Sequence, residues 1–550
     1  MLRSLALLLV LAGCEGVIGE PPAARRPSGS PGAPPLPDEP LADDPATRAF
    51  PGTDAAALPT RVWRLTDAEY RALVEDALGG PVAFEDDLLV ATGEGHYANE
   101  LAGLRMPRAN VEALDALAAA AGAASRTRLP EAFPCLRGGG TDPCARDALA
   151  AVTSRLHRGD AGDARGVLDA RYGLLRAEGL DVADALAEAV HTAAMMPRVL
   201  FRTEGSAGEG RARRLSGPEQ ARALSYALHG DAPSAALLAR ADTLRDASAR
   251  ELEARRMVAD PRFERRLQGF LAEWLGYQFL DGTTKNDAQH PWYDDAVIAA
   301  MQAEIEAFVR FVLDERGGAF EALLASQEGH APDTLPEAYA GDLVEEGRVR
   351  TRAGLALLPG VISARSGERA TKPMKRAQLL LERLYCVEIH APDDVDFTLA
   401  PSEDEVATER ERFEQVAEVR SCAGCHGALN PIGFALESYD AAGVHRTHDG
   451  DARIDPSGSM GLPLSESTSF EDAVALMRWS ATSVDARACF VRNVFEATFG
   501  VAPDAGAEPT LRATYRAFEA AGFDVREVFV ALAGSEYFLV REAAPAGGGE

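Results

Sequence analysis

The chain has 550 residues, enough to build several hydrophobic cores. Acidic residues outnumber basic ones by 85 to 56, a formal charge of -29. That balance argues against nucleic acid and anionic lipid as main partners and fits an exported body held in water.

At the N-terminus Arg3 is a small basic start, and Ser4 to Ala12 is almost purely apolar. The run is too short to span a bilayer and ends in small residues before a cysteine. Leu11-Ala12-Gly13-Cys14 resembles a bacterial lipobox, so residues 1–13 read as a lipoprotein signal peptide removed ahead of an acylated Cys14. A plain secretory signal is the alternative. Each buried acyl methylene contributes roughly 0.8 kcal/mol, so a lipid anchor on Cys14 would be the only membrane attachment required. Glu15 does not decide between inner and outer membrane. Residues 14–60 are rich in Pro, Ala and Gly and lack apolar periodicity, the composition of a disordered tether. Residues 544–550 form a tail of similar character.

From residue 61 onward the apolar spacing is helical and strand signals are weak, which predicts a mainly α protein. Thr66 and Glu69 form a capping box ahead of Tyr70, Leu73, Val74 and Leu78, and Gly79-Gly80 stops that helix. Residues 111–124 continue with Val111, Leu114 and Leu117. Ser216 caps a helix that carries Pro218 early and Ala221, Leu224, Ala227 and Leu228 on one face. Residues 248–258 follow, then Asp260-Pro261 precedes Phe263, Leu267, Phe270, Leu271, Trp274 and Leu275. A further amphipathic helix runs over 296–313, with Phe308 among its apolar positions. Trp274, Phe270 and Phe308 lie at helical spacing and read as core. Asp281, Asp287, Asp294 and Asp295 near His290 read as solvated loop carboxylates, with a metal or substrate loop as the sharper alternative.

Cys422-Ala423-Gly424-Cys425-His426 carries the clearest chemistry. Two thiols three positions apart, followed by an imidazole, form the attachment signature of c-type haem. Each thiol can close a thioether on one porphyrin vinyl group, and His426 is then aimed at the iron from the proximal side. A thioredoxin-like dithiol, half of a zinc site and a structural cysteine pair are the competing readings. An exported location agrees with haem attachment and with lasting disulfides. Setting aside Cys14, Cys422 and Cys425 leaves Cys135, Cys144, Cys386 and Cys489, an even number. Three pairings are formally possible. Cys135–Cys144, bracketing Gly138-Gly139-Gly140, together with Cys386–Cys489 across the haem segment, is the favoured one.

Met460, in a flexible loop over 456–463, leads as distal ligand, ahead of His445, His448 and Met477; a vacant or water-bound iron is the remaining possibility. Asp449, Asp451 and Asp455 hint at calcium but lack an EF-hand frame and read as turn carboxylates. His96, His157, His191, His229 and His290 have no ligand-like spacing.

Several stretches resemble a modular family of exported proteins of unknown function from planctomycetes and myxobacteria, in which helical modules accompany a cytochrome c-like one. Trp63 through Gly79 resembles its opening module, and Leu215 through Leu275 its central one. Arg352-Ala353-Gly354-Leu355 and Thr371-Lys372-Pro373-Met374-Lys375-Arg376 resemble the lead-in to the haem module. Cys422 to Gly443 matches most closely, and Arg487 to Arg492 resembles the closing module. The likeness weakens over 145–175, around Arg158-Gly159-Asp160-Ala161. It implies helical modules at 61–205, a central module at 211–340, a cytochrome c-like module at 345–460 and a closing module at 465–543. Pro431 looks similar to the cytochrome c proline whose carbonyl accepts from the proximal histidine, in a turn over Asn430–Gly433 after the attachment helix.

The implied cofactor is one covalent haem c and the implied location the bacterial cell envelope. Single-electron transfer, with a redox partner protein or small molecule, is the leading expectation. A haem-dependent oxidoreductase or exported-polymer-degrading enzyme, and a surface binding lipoprotein, are the alternatives.

Overall fold

Several helix starts in this protein are set by side chains that cap the backbone of the first turn. In the computed structural model, Thr66 Oγ1 accepts from Glu69 N, and a Glu69 carboxylate oxygen accepts from Thr66 N, closing the reciprocal cap of helix Asp67–Leu78. Gly79, at φ 77°, ends that helix in the left-handed region. Ser216 and Glu219 repeat the device before Gly217–His229. The other predicted helices also form: Arg108–Ala132, Ala247–Met257, Pro261–Leu275 and Asp295–Glu315. The fold is mainly helical, as the periodicity requires.

The structure describes residues 44–84, 89–90, 96–204, 212–328, 335–340, 343–344, 348–349, 352–389, 408–461 and 464–542. The signal peptide, Cys14, most of the tether and the tail lie outside them; the described end of the expected tether is ordered, with helix Pro45–Ala49, strand Leu58–Pro59 and buried Ala46 and Phe50. Among the described residues strands are two to four residues long, and no helix is long and apolar enough to cross a membrane.

Compactness divides the chain into two units, each gathered from separated stretches. One comprises Asp44–Trp274, Arg310–Phe320 and Phe490–Glu550. Its early helices bury Tyr70, Leu73, Leu114, Leu117, Leu149 and Tyr172 in a common core. The disulfide Cys135–Cys144, with Cα atoms 6.1 Å apart, ties the glycine-rich loop to helix Asp142–Leu156. A second core is aromatic. Phe270 stacks on Trp274 and meets Phe490 and Phe529 edge to face. Burying a side chain such as Phe270 contributes roughly 1.5–3 kcal/mol, so these rings hold structure rather than await a substrate.

Trp63 lies ahead of helix Asp67–Leu78, in strand Arg61–Arg64, which pairs antiparallel with Phe201–Glu204 and sets Arg61 opposite Glu204. Leu58–Pro59 and Ala212–Arg214 flank Val540–Glu542 in a three-stranded sheet. Glu204 Oε2 accepts from Arg61 Nε at 2.8 Å and Arg541 Nε at 2.7 Å, with all three side chains buried. Burial opposes ionisation of Glu204, but Arg61 and Arg541 overcome it and hold the carboxyl well below the usual carboxylate range.

The other unit contains Leu275–Val309 and Glu321–Cys489. Its helices include Pro359–Ala364, Pro373–Leu384, Glu409–Glu418, Arg420–Leu436 and Ala473–Thr482. Cys386, just past helix Pro373–Leu384, is bonded to Cys489 in helix Val484–Phe499, with Cα atoms 5.4 Å apart. Both favoured disulfides are therefore present.

Candidate functional site

Arg420–Leu436 is one continuous helix of 17 residues, and the Cys-Ala-Gly-Cys-His stretch occupies its first two turns. The predicted turn over Asn430–Gly433 does not form: these residues lie inside the helix. Proline removes the hydrogen bond that would otherwise reach the Gly427 carbonyl, and a glycine there leaves the pyrrolidine ring room. Cys422 and Cys425 are partly exposed and belong to neither disulfide. A side chain at Gly424 or Gly427 would meet nothing within 4 Å, so the helix surface around the two thiols is open.

His426 is held from two sides. Its Nδ1 lies 2.8 Å from Asn430 Oδ1, one helical turn on. Its ring stacks on Phe413 of helix Glu409–Glu418, with centroids 5.6 Å apart and planes 20° apart. The acceptor expected from Pro431 is thus supplied here by Asn430. The Pro431 carbonyl instead faces Gly458, where an added Cβ would come within 2.9 Å of it.

The rest of the helix is clamped by Pro373–Leu384. A Cβ at Gly433 would fall 2.7 Å from the Met374 methyl and 3.1 Å from the Pro373 carbonyl oxygen, so the helices approach where only glycine fits. Arg376 closes the C-terminal end. Its Nη1 donates to the carbonyls of Leu436 and Tyr439 at 2.9 and 2.8 Å, and its Nη2 to the Asp440 carbonyl and Ser366 Oγ, each at 2.6 Å. Burial pulls this guanidinium down to about 10. The five-donor fork meets carbonyls at the helix end and in the turn after it, where Leu436 and Asp440 also accept from the N–H groups of Tyr439 and Gly443.

Met460 is not on a loose loop. It ends strand Gly458–Met460, which pairs antiparallel with Thr468–Phe470 and packs against helix Arg420–Leu436. Pairing satisfies the backbone and buries both Met460 and Phe470. Met477 is fully buried in helix Ala473–Thr482. His445 meets Tyr439 edge to face, and His448 Nδ1 lies 2.9 Å from Thr447 Oγ1.

The acidic candidates serve local structure. Asp449 accepts from Arg446 at 2.8 Å, Asp455 accepts from Ser457, and Asp294 caps the helix after it through Val297 N. Among the described residues no group of three or more His, Cys, Asp or Glu is arranged to hold a metal ion. His157 and His229 are buried against the carbonyls of Thr153 and Met257, and burial pushes both imidazoles down.

Two thiols, an oriented imidazole and open space beside the glycines fit a covalently attached haem by the chemistry of the donor set. Sequence reasoning missed Asn430, Phe413 and Arg376. Asn430 stands four residues after His426, a spacing visible only once Pro431 is placed inside the helix. Phe413 had no sequence signal tying it to the motif.

Residues 215–340 match the family PSD4, a protein of unknown function (DUF1592), and residues 352–449 match PSCyt3, a protein of unknown function (DUF1588). These ranges contain the central stretch and the lead-in on which the family resemblance rests. Neither description carries an activity. No curated protein and no solved structure matches the chain.

Proposed function

We propose that the protein is an envelope-anchored c-type haem lipoprotein that transfers single electrons, with Cys422 and Cys425 as attachment points and His426 as proximal ligand. The observation that carries this reading is the division of the cysteines: Cys135, Cys144, Cys386 and Cys489 are paired, while the two in the motif stay out of disulfides on an open helix surface. Bound haem supplies a one-electron iron couple, whose potential a thioether ligand raises. Met460 is the proposed distal ligand. Its strand packs against the motif helix, and the side chain is buried, so a thioether there is shielded from water. Export and acylation of Cys14 belong to the same proposal, since haem attachment and lasting disulfides share an oxidising compartment.

The test is expression with haem-attachment machinery, followed by acid extraction and a pyridine haemochrome spectrum. Haem should survive extraction in the wild type and be lost in C422A/C425A. His426→Ala should retain attachment but leave the iron high-spin or misligated. Met460→Ala should lower the potential, remove the weak sulfur-to-iron band of the oxidised spectrum and admit carbon monoxide. Absence of extraction-resistant haem in the wild type overturns the proposal. Tight carbon monoxide binding by the wild type instead places the protein among haem enzymes with an open iron.

A further inference from the structure

The proximal histidine has two ring nitrogens, and which one offers its lone pair is decided by what the other is bonded to. Here a chain of two hydrogen bonds makes that decision. Asn430 is 7% exposed, so its amide cannot turn freely to water. Asn430 Nδ2 donates to the Phe413 carbonyl at 3.0 Å. A carbonyl only accepts, so the nitrogen end of the amide must face Phe413. The oxygen end must then face His426 Nδ1, at 2.8 Å. Turning the amide over would set two acceptors against each other at Phe413, a loss of roughly 1–3 kcal/mol for a buried group left unsatisfied.

An amide oxygen cannot donate, so the proton of the 2.8 Å contact belongs to His426. The ring carries its hydrogen on Nδ1, and the lone pair of the neutral imidazole sits on Nε2. Stacking on Phe413 restrains rotation of the imidazole, and Arg412 lies over the Phe413 ring, 5.4 Å from its centroid. Helix Glu409–Glu418 thus acts on the motif through one carbonyl and one ring.

We infer that Asn430 and Phe413 are positioning residues that lock His426 in the Nδ1–H tautomer and present Nε2 as the metal-binding atom. The tautomer stands on the hydrogen bonds alone, and its consequence for iron rests on the haem reading above. A neutral amide oxygen withdraws less of the Nδ1 proton than a carboxylate does. It keeps the imidazole a moderate donor, and a carboxylate in its place makes the ring more basic and stabilises the oxidised metal.

Two measurements test this on the full chain. In C422A/C425A protein labelled with nitrogen-15 histidine, the His426 ring shifts, identified by their loss in His426→Gln, should report the Nδ1–H form. Asn430→Leu should abolish that preference, whereas Asn430→Asp, which loses the donor to the Phe413 carbonyl but keeps an acceptor toward Nδ1, should keep it at some cost in stability, with circular dichroism unchanged in both. In haem-loaded protein, Asn430→Asp should shift the midpoint potential downward, and Asn430→Leu should make the proximal ligand exchange faster with added imidazole. A predominant Nε2–H form in the haem-free protein overturns the inference, as does an Asn430→Leu variant with unchanged tautomer. Wild-type protein that binds no covalent haem but shows the Nδ1–H form defeats the haem reading and leaves the positioning role intact. Haem-loaded variants indistinguishable from wild type in potential and ligand exchange defeat the tuning role and leave attachment intact.

Discussion

Replacing Arg376 by Met removes the side chain that closes the end of the motif helix while keeping its apolar stem. The main-chain carbonyls of Leu436, Tyr439 and Asp440 each lose a donor where Arg376 is 2% exposed, although Leu436 and Asp440 still accept from the backbone N–H groups of Tyr439 and Gly443. A hydrogen bond from a charged donor is worth roughly 1.5–3 kcal/mol, and the retained backbone bonds and partial relaxation keep the sum well below the simple total. A loss of about 2–3 kcal/mol follows for the fork as a whole. For a unit of about 200 residues, each kcal/mol lowers the melting temperature by roughly 2–4 °C, so the shift should be about 4–12 °C. Calorimetry of the full chain reads it as a downward move of the transition belonging to the unit that holds Arg376. Arg376→Lys keeps the charge but not the planar fork, and should recover less than half of the loss. A loss under about 1 kcal/mol in R376M, or full recovery in R376K, would refute the argument that the fork's geometry supports this helix.

The two disulfides should differ in worth. By loop-closure entropy a 103-residue separation stabilises by about 4.7 kcal/mol and a nine-residue one by about 2.7, so C386A/C489A should lower the urea midpoint more than C135A/C144A; equal effects would contradict this. Burial holds His229 below its ordinary 6.5, with the Met257 carbonyl only partly offsetting it. The unfolded chain therefore binds the proton first, and stability should be full above about pH 6.5 and fall as pH drops toward the folded value. His229→Gln should flatten that slope in urea titrations between pH 7 and pH 5; an unchanged slope would remove His229 from the account. Gly433→Val should cost about 1–3 kcal/mol through overpacking against Pro373 and Met374, and Met374→Ala should restore only part of it because the Pro373 carbonyl does not move; the double-mutant cycle measures both terms.

Local signals were legible where they act over a few residues. The capping boxes at Thr66 and Ser216, the stop at Gly79 and the helical faces of Leu224 and Phe270 all follow from short-range rules, and the structure shows each. Cysteine parity gave both crosslinks because six thiols beyond the first leave few arrangements once the motif is set aside. Pro431 misled because proline ends most helices, whereas here the flanking clamp from Pro373–Leu384 outweighs the missing hydrogen bond. The pairing of Met460 with Thr468 was hidden in a stretch of Gly, Ser and Pro that reads as loop by composition. Arg376 and Phe413 act across 60 and 17 positions of sequence, and spacing alone does not reach that far. Nor does a linear reading show that each compact unit is assembled from interrupted stretches.

The arrangement of four cysteines in one unit also sets a problem of timing for any cell that makes this protein. Joining Cys386 to Cys489 requires two segments 103 residues apart to have docked, and Cys489 is buried once they have. Joining Cys422 to Cys425 requires only a contact between near neighbours, which an unfolded chain makes far more often. In an oxidising compartment the short bond therefore forms first unless something intervenes. A host that exports the chain but cannot reduce or cap that thiol pair should accumulate a folded product in which Cys422 and Cys425 are joined to each other. Recombinant yield of the intact site thus depends on a race between a reductant and an oxidant, settled before the longer crosslink closes.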